Sequence, residues 1–204
     1  MADVKIYQLK ITLRHSDPKI WRRVLVPGVF SFHALHNVIQ LAMGWTNCHL
    51  YAFRFKKTQI GIPDPEWDED NLIDSETTAL EGFFEDRKEL FQYEYDFGDG
   101  WIHDIKIEKI LEPAPRQAYP VCLAGELACP PEDCGGIYGY YHILEVLAAK
   151  RHPEKKELKE WLSQDFDPQE FDINETNDLF EAFENQDEGE GEDDEDIEDY
   201  LALN

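Results

Sequence analysis

The sequence predicts an α+β fold: one domain over residues 1–183, a largely antiparallel sheet with helices packed on it, then an acidic tail over 184–204. Three observations predict it. Apolar residues alternate with period two through most of the first half, whereas helical spacing concentrates after residue 130. In a chain of 204 residues, 42% hydrophobic and 13% aromatic content fills a core, which excludes global disorder. Composition then changes abruptly: from Glu184 to Asp199, 11 of 16 residues are acidic and none is basic. Such a run repels itself, and disorder with a solubilising role is its ordinary expectation.

The elements follow in order. Residues 3–14 alternate with a change of parity, Val4 and Ile6 against Tyr7, Leu9, Ile11 and Leu13, so a strand with a bulge near Ile6-Tyr7 is expected. Ser16-Asp17-Pro18 is a turn, and Ile20 to Val26 is the returning strand. Ser31 caps a helix whose apolar face is Phe32, Leu35, Val38, Ile39 and Ala42, with Gly44 as its C-terminal glycine. On that wheel His36 faces inward and His33 outward. Leu50 to Phe55 is a strand, and residues 56–88 read as a long exposed loop with a short helix at Thr78 to Phe84.

Phe91, Tyr93, Tyr95 and Phe97 alternate, as do Trp101, His103, Ile105 and Ile107. A three-residue loop, Gly98 to Gly100, pairs Phe97 with Trp101 and Tyr95 with His103, with Gly100 left-handed. His103 then joins the aromatic face, while Asp96 and Asp104 point to the other. Val121-Cys122-Leu123 reads as a short strand or loop. Next comes a helix with Ile137, Tyr140, Tyr141, Leu144, Leu147 and Ala148 on one face and His142 opposite. A charged helix spans 153–164, and Asp172 caps a last one carrying Ile173, Phe180 and Phe183.

With 44 Asp+Glu against 19 Lys+Arg, the net charge is −25, and removing the tail's eleven acids leaves −14. Non-specific nucleic-acid binding is therefore not expected. A local basic contact remains compatible, because Arg14, Lys19, Arg22, Arg23, Arg54, Lys56 and Lys57 cluster early. No apolar run is long enough for a bilayer and no signal peptide is evident, so a cytoplasmic protein without membrane contact is expected.

Five stretches resemble the plasmid pRiA4b open-reading-frame-three-like family, also labelled as insertion-element passenger proteins. They are Ile20-Trp21-Arg22-Arg23-Val24 with Val26-Pro27; Leu35-His36 through Ala42-Met43-Gly44-Trp45; His49-Leu50-Tyr51-Ala52-Phe53; Tyr95-Asp96-Phe97-Gly98-Asp99-Gly100-Trp101 with His103; and Gly125-Glu126 through Cys129-Pro130-Pro131-Glu132-Asp133-Cys134-Gly135-Gly136 with Gly139-Tyr140. The resemblance spans roughly residues 4–183. It implies an α+β domain and a history in mobile genetic elements, and it brings no established activity. A resolvase-type role is not carried over, since a serine recombinase needs a nucleophilic serine among arginines, and this chain is acidic with few serines.

Three chemical readings follow. The favoured one is a non-enzymatic binding or interaction protein with an unknown protein or small-molecule partner. Its candidate surface comprises Arg22, Arg23, Asp96, Asp99, Trp101, Glu126, Glu132 and Asp133. The second is a metal-dependent hydrolase holding a divalent ion with carboxylates of the Asp96–Asp99 hairpin and the Glu126–Asp133 loop. The third is a zinc-stabilised domain in which Cys122, Cys129, Cys134 and His103 supply thiolate and imidazole ligands, although no C-x2-C knuckle is present. Cys134 near a helix N-terminus is a weak nucleophile candidate because Glu132 and Asp133 oppose ionisation. His36 and His49 read as packed or hydrogen-bonded histidines.

Overall fold

Alternating strands rich in aromatic residues need a sheet with one buried face. In the computed structural model, which describes residues 4–63, 72–84, 90–162 and 166–187, these strands supply it. They are β1 (Ile6–Leu13), β2 (Trp21–Pro27), β3 (Tyr51–Phe55), β4 (Thr58–Gly61), β5 (Leu72–Asp74), β6 (Leu90–Tyr95), β7 (Trp101–Leu111) and β8 (Val121–Glu126). Their order is β5-β4-β3-β6-β7-β1-β2-β8, and every neighbouring pair is antiparallel except β4–β5. The helices are α1 (Phe32–Met43), α2 (Gly136–Ala148), α3 (Lys155–Trp161) and α4 (Ile173–Asp187). This is the expected α+β domain.

Helix α1 lies on the buried face. Ser31 Oγ accepts from the Ala34 amide at 3.0 Å, and left-handed Gly44 donates to the carbonyls of Gln40 and Leu41. Phe32, Leu35, Val38 and Ile39 are at most 1% exposed, each burial contributing about 1.5–3 kcal/mol. Helix α4 packs across α1 and β8. Asp172 Oδ1 caps it by accepting from the Asn174 amide at 2.7 Å. Asn177 then satisfies the backbone of Cys122, accepting from its N–H at 2.8 Å and donating to its carbonyl at 3.1 Å. The free edge of β8 is thereby partly covered.

Several local expectations are corrected. The irregularity in β1 pairing falls at Gln8/Leu9, and the extra residue is Glu108 on β7. Strand β1 itself alternates without a break, and Ile6 is buried on the face opposite Tyr7, Leu9, Ile11 and Leu13, which are buried too. The β6–β7 register differs by two residues: Tyr95 pairs with Trp101 and Tyr93 with His103, so the loop is Asp96 to Gly100. Strand pairing stops at Tyr95 because Asp96 turns left-handed at φ 52° and its Oδ1 accepts from the Gly98 amide at 2.9 Å, which leaves Phe97 outside. A two-residue shift preserves the faces, and Gly100 is left-handed as expected at φ 67°.

His33 is half-buried rather than outward, its Nδ1 at 2.8 Å from the Tyr51 hydroxyl. Within residues 56–88 the structure adds β4, β5 and a single 3-10 turn, Leu80–Gly82; residues 64–71 and 85–89 of that expected loop lie outside the described residues. Helix α2 buries Tyr140, Ile143 and Val146, while Tyr141 faces the β1–β2 turn, accepting from the Asp17 amide and donating to the His15 carbonyl. Helix α4 runs past Phe183 to Asp187, and the tail from 188 lies outside the described residues. Among the described residues no helix is long and apolar enough to cross a membrane.

Candidate functional site

Three connections meet at one end of the sheet: the turn Asp96 to Gly100, the segment Trp45 to His49 after α1, and the loop Cys129 to Gly136 before α2. Backbone and carboxylate contacts hold them together. The Asp96 amide donates to the Leu50 carbonyl at 3.0 Å, and Trp45 Nε1 donates to the Pro130 carbonyl at 2.9 Å. Asp99 Oδ2 accepts from the Gly135 amide at 3.2 Å. Gly136, at φ 67°, lies so close to Asp99 that a Cβ there would collide with the Asp99 carbonyl oxygen.

Glu132 is the carboxylate that ties all three connections together. Its Oε2 accepts from the Thr46 amide at 2.8 Å and hydroxyl at 2.6 Å, and its Oε1 accepts from the Tyr95 hydroxyl at 2.6 Å. Burial, and then the Glu132 carboxylate beside it, keeps the Tyr95 phenol protonated far above its ordinary range. Glu132 is thus committed to holding the loops.

Beside it sit His49, Asp96 and Asp133, whose ligand atoms all lie within 4.8 Å of one another. His49 Nε2 is 3.2 Å from Asp133 Oδ1 and 3.9 Å from Asp96 Oδ2. Side-chain exposure rises from 12% at Asp96 through 30% at His49 to 72% at Asp133, so the group opens to solvent on one side. Ligands about 2.0–2.2 Å from one metal ion stand roughly 3–3.5 Å apart, and the His49–Asp133 spacing matches that. One imidazole with two carboxylates suits Zn, Mn or Fe(II), and three protein ligands leave coordination positions open.

The other candidates fall elsewhere. Arg22 is buried, donating from Nε to the Ala42 carbonyl at 2.8 Å and from Nη1 to the carbonyls of Trp21 and Glu126, with Phe171 stacked on it at 3.9 Å. Burial lowers its pKa, and it is not a surface cation. Arg23 is locked in a bidentate pair with Glu108, at 2.6 and 3.0 Å, that holds the Glu108 carboxyl at about 2. Glu126 accepts from Trp21 Nε1 at 3.0 Å on the open sheet face instead of joining the other acids. Trp101 is core rather than surface, 1% exposed.

The cysteines do not converge. Cys122 Sγ faces the Ala124 carbonyl at 3.8 Å, Cys129 Sγ faces Met43 Sδ at 3.2 Å, and Cys134 Sγ faces the Gly136 carbonyl at 3.8 Å. No three of Cys122, Cys129, Cys134 and His103 come within 4.8 Å as ligands. Burial pushes the Cys129 and Cys134 thiols up to about 12, and for Cys134 Asp99 and Asp133 add to it. His103 is wholly buried, its pKa lowered to about 3 by that burial, which the nearby carbonyls of Trp101 and Tyr93 only partly oppose. Neither His103 nitrogen, nor Trp101 Nε1, completes a hydrogen bond.

The residue that sequence reasoning set aside is His49. Its one signal was a histidine directly before a strand, and only the fold brings it to two acids 47 and 84 positions away.

Fold and site together define a class: a single α+β domain whose sheet is covered on one face and whose loop pole offers mixed imidazole and carboxylate donors. The chain belongs to the family of plasmid pRiA4b ORF-3-like proteins, which it matches over residues 5–175. It is 44% identical over 164 residues to the uncharacterized protein y4hQ of Sinorhizobium fredii, covering 79% of this chain and 84% of that one. It is also similar to the crystal structure of MM3350, a protein of unknown function from Methanosarcina mazei Go1. That similarity has 38% identity and a TM-score of 0.77, and covers 84% of this chain and 97% of the other. His49, Asp96 and Asp133 all lie inside the matched segment.

Proposed function

We propose that this chain is a binding protein that acts through a divalent metal ion held by His49, Asp96 and Asp133. The observation that carries the reading is the convergence of one imidazole and two carboxylates from three separate connections, open on one side. The ion's free positions would take oxygen donors of a ligand, and the acidic surroundings raise the local concentration of cations. Binding is favoured over hydrolysis because the nearest additional carboxylates are already used. Both Glu132 oxygens accept hydrogen bonds, and Asp99 accepts from Gly135, so neither is placed as a free general base.

Calorimetric titration of metal-free protein with Mn2+ and Zn2+ tests this. One ion per chain is expected, with affinity falling about 10-fold or more in His49→Gln and in Asp133→Asn, and unchanged in Cys122→Ser. Absence of binding, or binding indifferent to His49 and Asp133, sinks the reading. Metal-stimulated turnover of a phosphoester or ester by the wild type, lost in both variants, would replace it with the hydrolase reading.

A further inference from the structure

The sheet face opposite α1 carries a row of like charges. Lys10 pairs in register with Arg23 on β2 and with Lys106 on β7, so three cations stand side by side across three adjacent strands. Directly opposed like charges destabilise a sheet. Glu108 offsets Arg23, and Arg14 and Arg54 pair with Asp104 and Glu94. Lys10, Lys106 and Lys109 make no salt bridge with any described residue. The Trp21 ring lies under this row, 4.5 Å from Lys10 Nζ and 5.0 Å from the Arg23 guanidinium. Apolar surface is exposed at two edges of the face, at Leu123 on β8 (42%) and at Leu111, the last residue of β7 (36%). On a chain of net charge −25, this face has the chemistry of a seat for an anionic segment with an apolar end.

We propose that the seat is filled by the chain's own C-terminal segment, residues 188–204, laid across the open face over β2, β1 and β7. The charge is complementary, because nine acids and no base lie between Glu188 and Asp199. The end matches too, since Tyr200-Leu201-Ala202-Leu203 follows the acids and can cover Leu111 on β7. Reach is ample. Helix α4 packs beside β8, next to β2, and twelve residues separate Asp187 from Tyr200. Extended, they span up to about 45 Å. Crossing from β8 to β7 takes about 15 Å. Tethering also gives the segment a local concentration of about a millimolar, which a free anion must exceed to displace it. The occupant therefore shields the cation row and offsets its repulsion. This inference is independent of the metal reading.

The test uses the full chain. A nitroxide is attached at Ala202→Cys in a Cys48→Ser background, and amide signals are read by NMR. Broadening of about twofold or more is expected at Lys10, Arg23 and Lys106, relieved near 0.5 M salt where the screening length is about 4 Å. It should vanish in Lys10→Gln/Lys106→Gln. Untouched open-face amides overturn the proposal, as does broadening centred on another face or indifferent to salt and to the double variant. A mixture of labelled 14N chains and unlabelled 15N chains should show none; broadening there would make the occupant a second copy's tail and overturn the intramolecular form.

Discussion

Two neighbouring polar groups on the buried face of the sheet are treated in opposite ways. Around His36 every group is partnered. Nε2 donates to Asn47 Oδ1 at 2.5 Å, and Nδ1 accepts from the Tyr93 hydroxyl at 2.7 Å, which itself accepts from Gln40 Nε2 at 2.8 Å. The ring also stacks on Tyr51 at 3.6 Å, whose hydroxyl bridges His33 and Ser75. Around Trp45, by contrast, His103 and Trp101 meet aromatic rings, and three ring nitrogens have no partner. Both histidines are buried and both are lowered to about 3, with burial the main cause. The difference lies in what faces the strands. A helix and a loop supply polar side chains to the first group, whereas the second receives rings and only the nearby carbonyls of Trp101 and Tyr93.

The broadest way to probe that contrast is acid. A folded-state pKa below the unfolded value of about 6.5 keeps each imidazole neutral while the unfolded chain takes up protons. The stability each contributes is complete above pH 6.5 and is lost as pH falls toward 3. Urea unfolding between pH 6.5 and 4.5 should show stability dropping with a slope that approaches about 2.7 kcal/mol per unit for the two groups. In His103→Leu the slope should halve; an unchanged slope would mean His103 is not held neutral.

Next in size is Tyr93→Phe. Removing the hydroxyl strands His36 Nδ1 and Gln40 Nε2 together, so a loss of about 2–4 kcal/mol is expected in denaturant unfolding at pH 7.5. The smallest effect belongs to His103→Leu at the same pH. No side-chain partner is stranded there, and the change should stay within about 1 kcal/mol of either sign. Equal costs for the two variants would erase the distinction between the regions.

Much of the fold was legible because it rests on local rules. The caps of α1, the faces of β6 and β7, and the order of strands before helices follow from Ser31, Gly44 and strict alternation. What escaped depends on partners distant in sequence. The hairpin register was decided by Asp96 leaving the strand, which parity alone cannot reveal, since a two-residue slip preserves every face. Strands β4 and β5 are short, and their parallel pairing has no hairpin signal. Of the site, the acidic motifs were visible, but Glu132 as a clasp and His49 as their companion required the tertiary approach of three connections. Arg22 misled for the same reason: strand position gave it a face, and only the fold surrounds it with carbonyls and Phe171.

The seam between Asp99 and Gly136 has a consequence for how this pole is inherited. Because backbone presses on backbone there, the pole is closed only when the chain from Trp45 to Gly136 has folded as a unit. No shorter fragment carries a partial version of it, and drift on the α2 side has almost no small steps available. A gene truncated within that stretch loses the pole outright, while one truncated in the acidic tail keeps it whole.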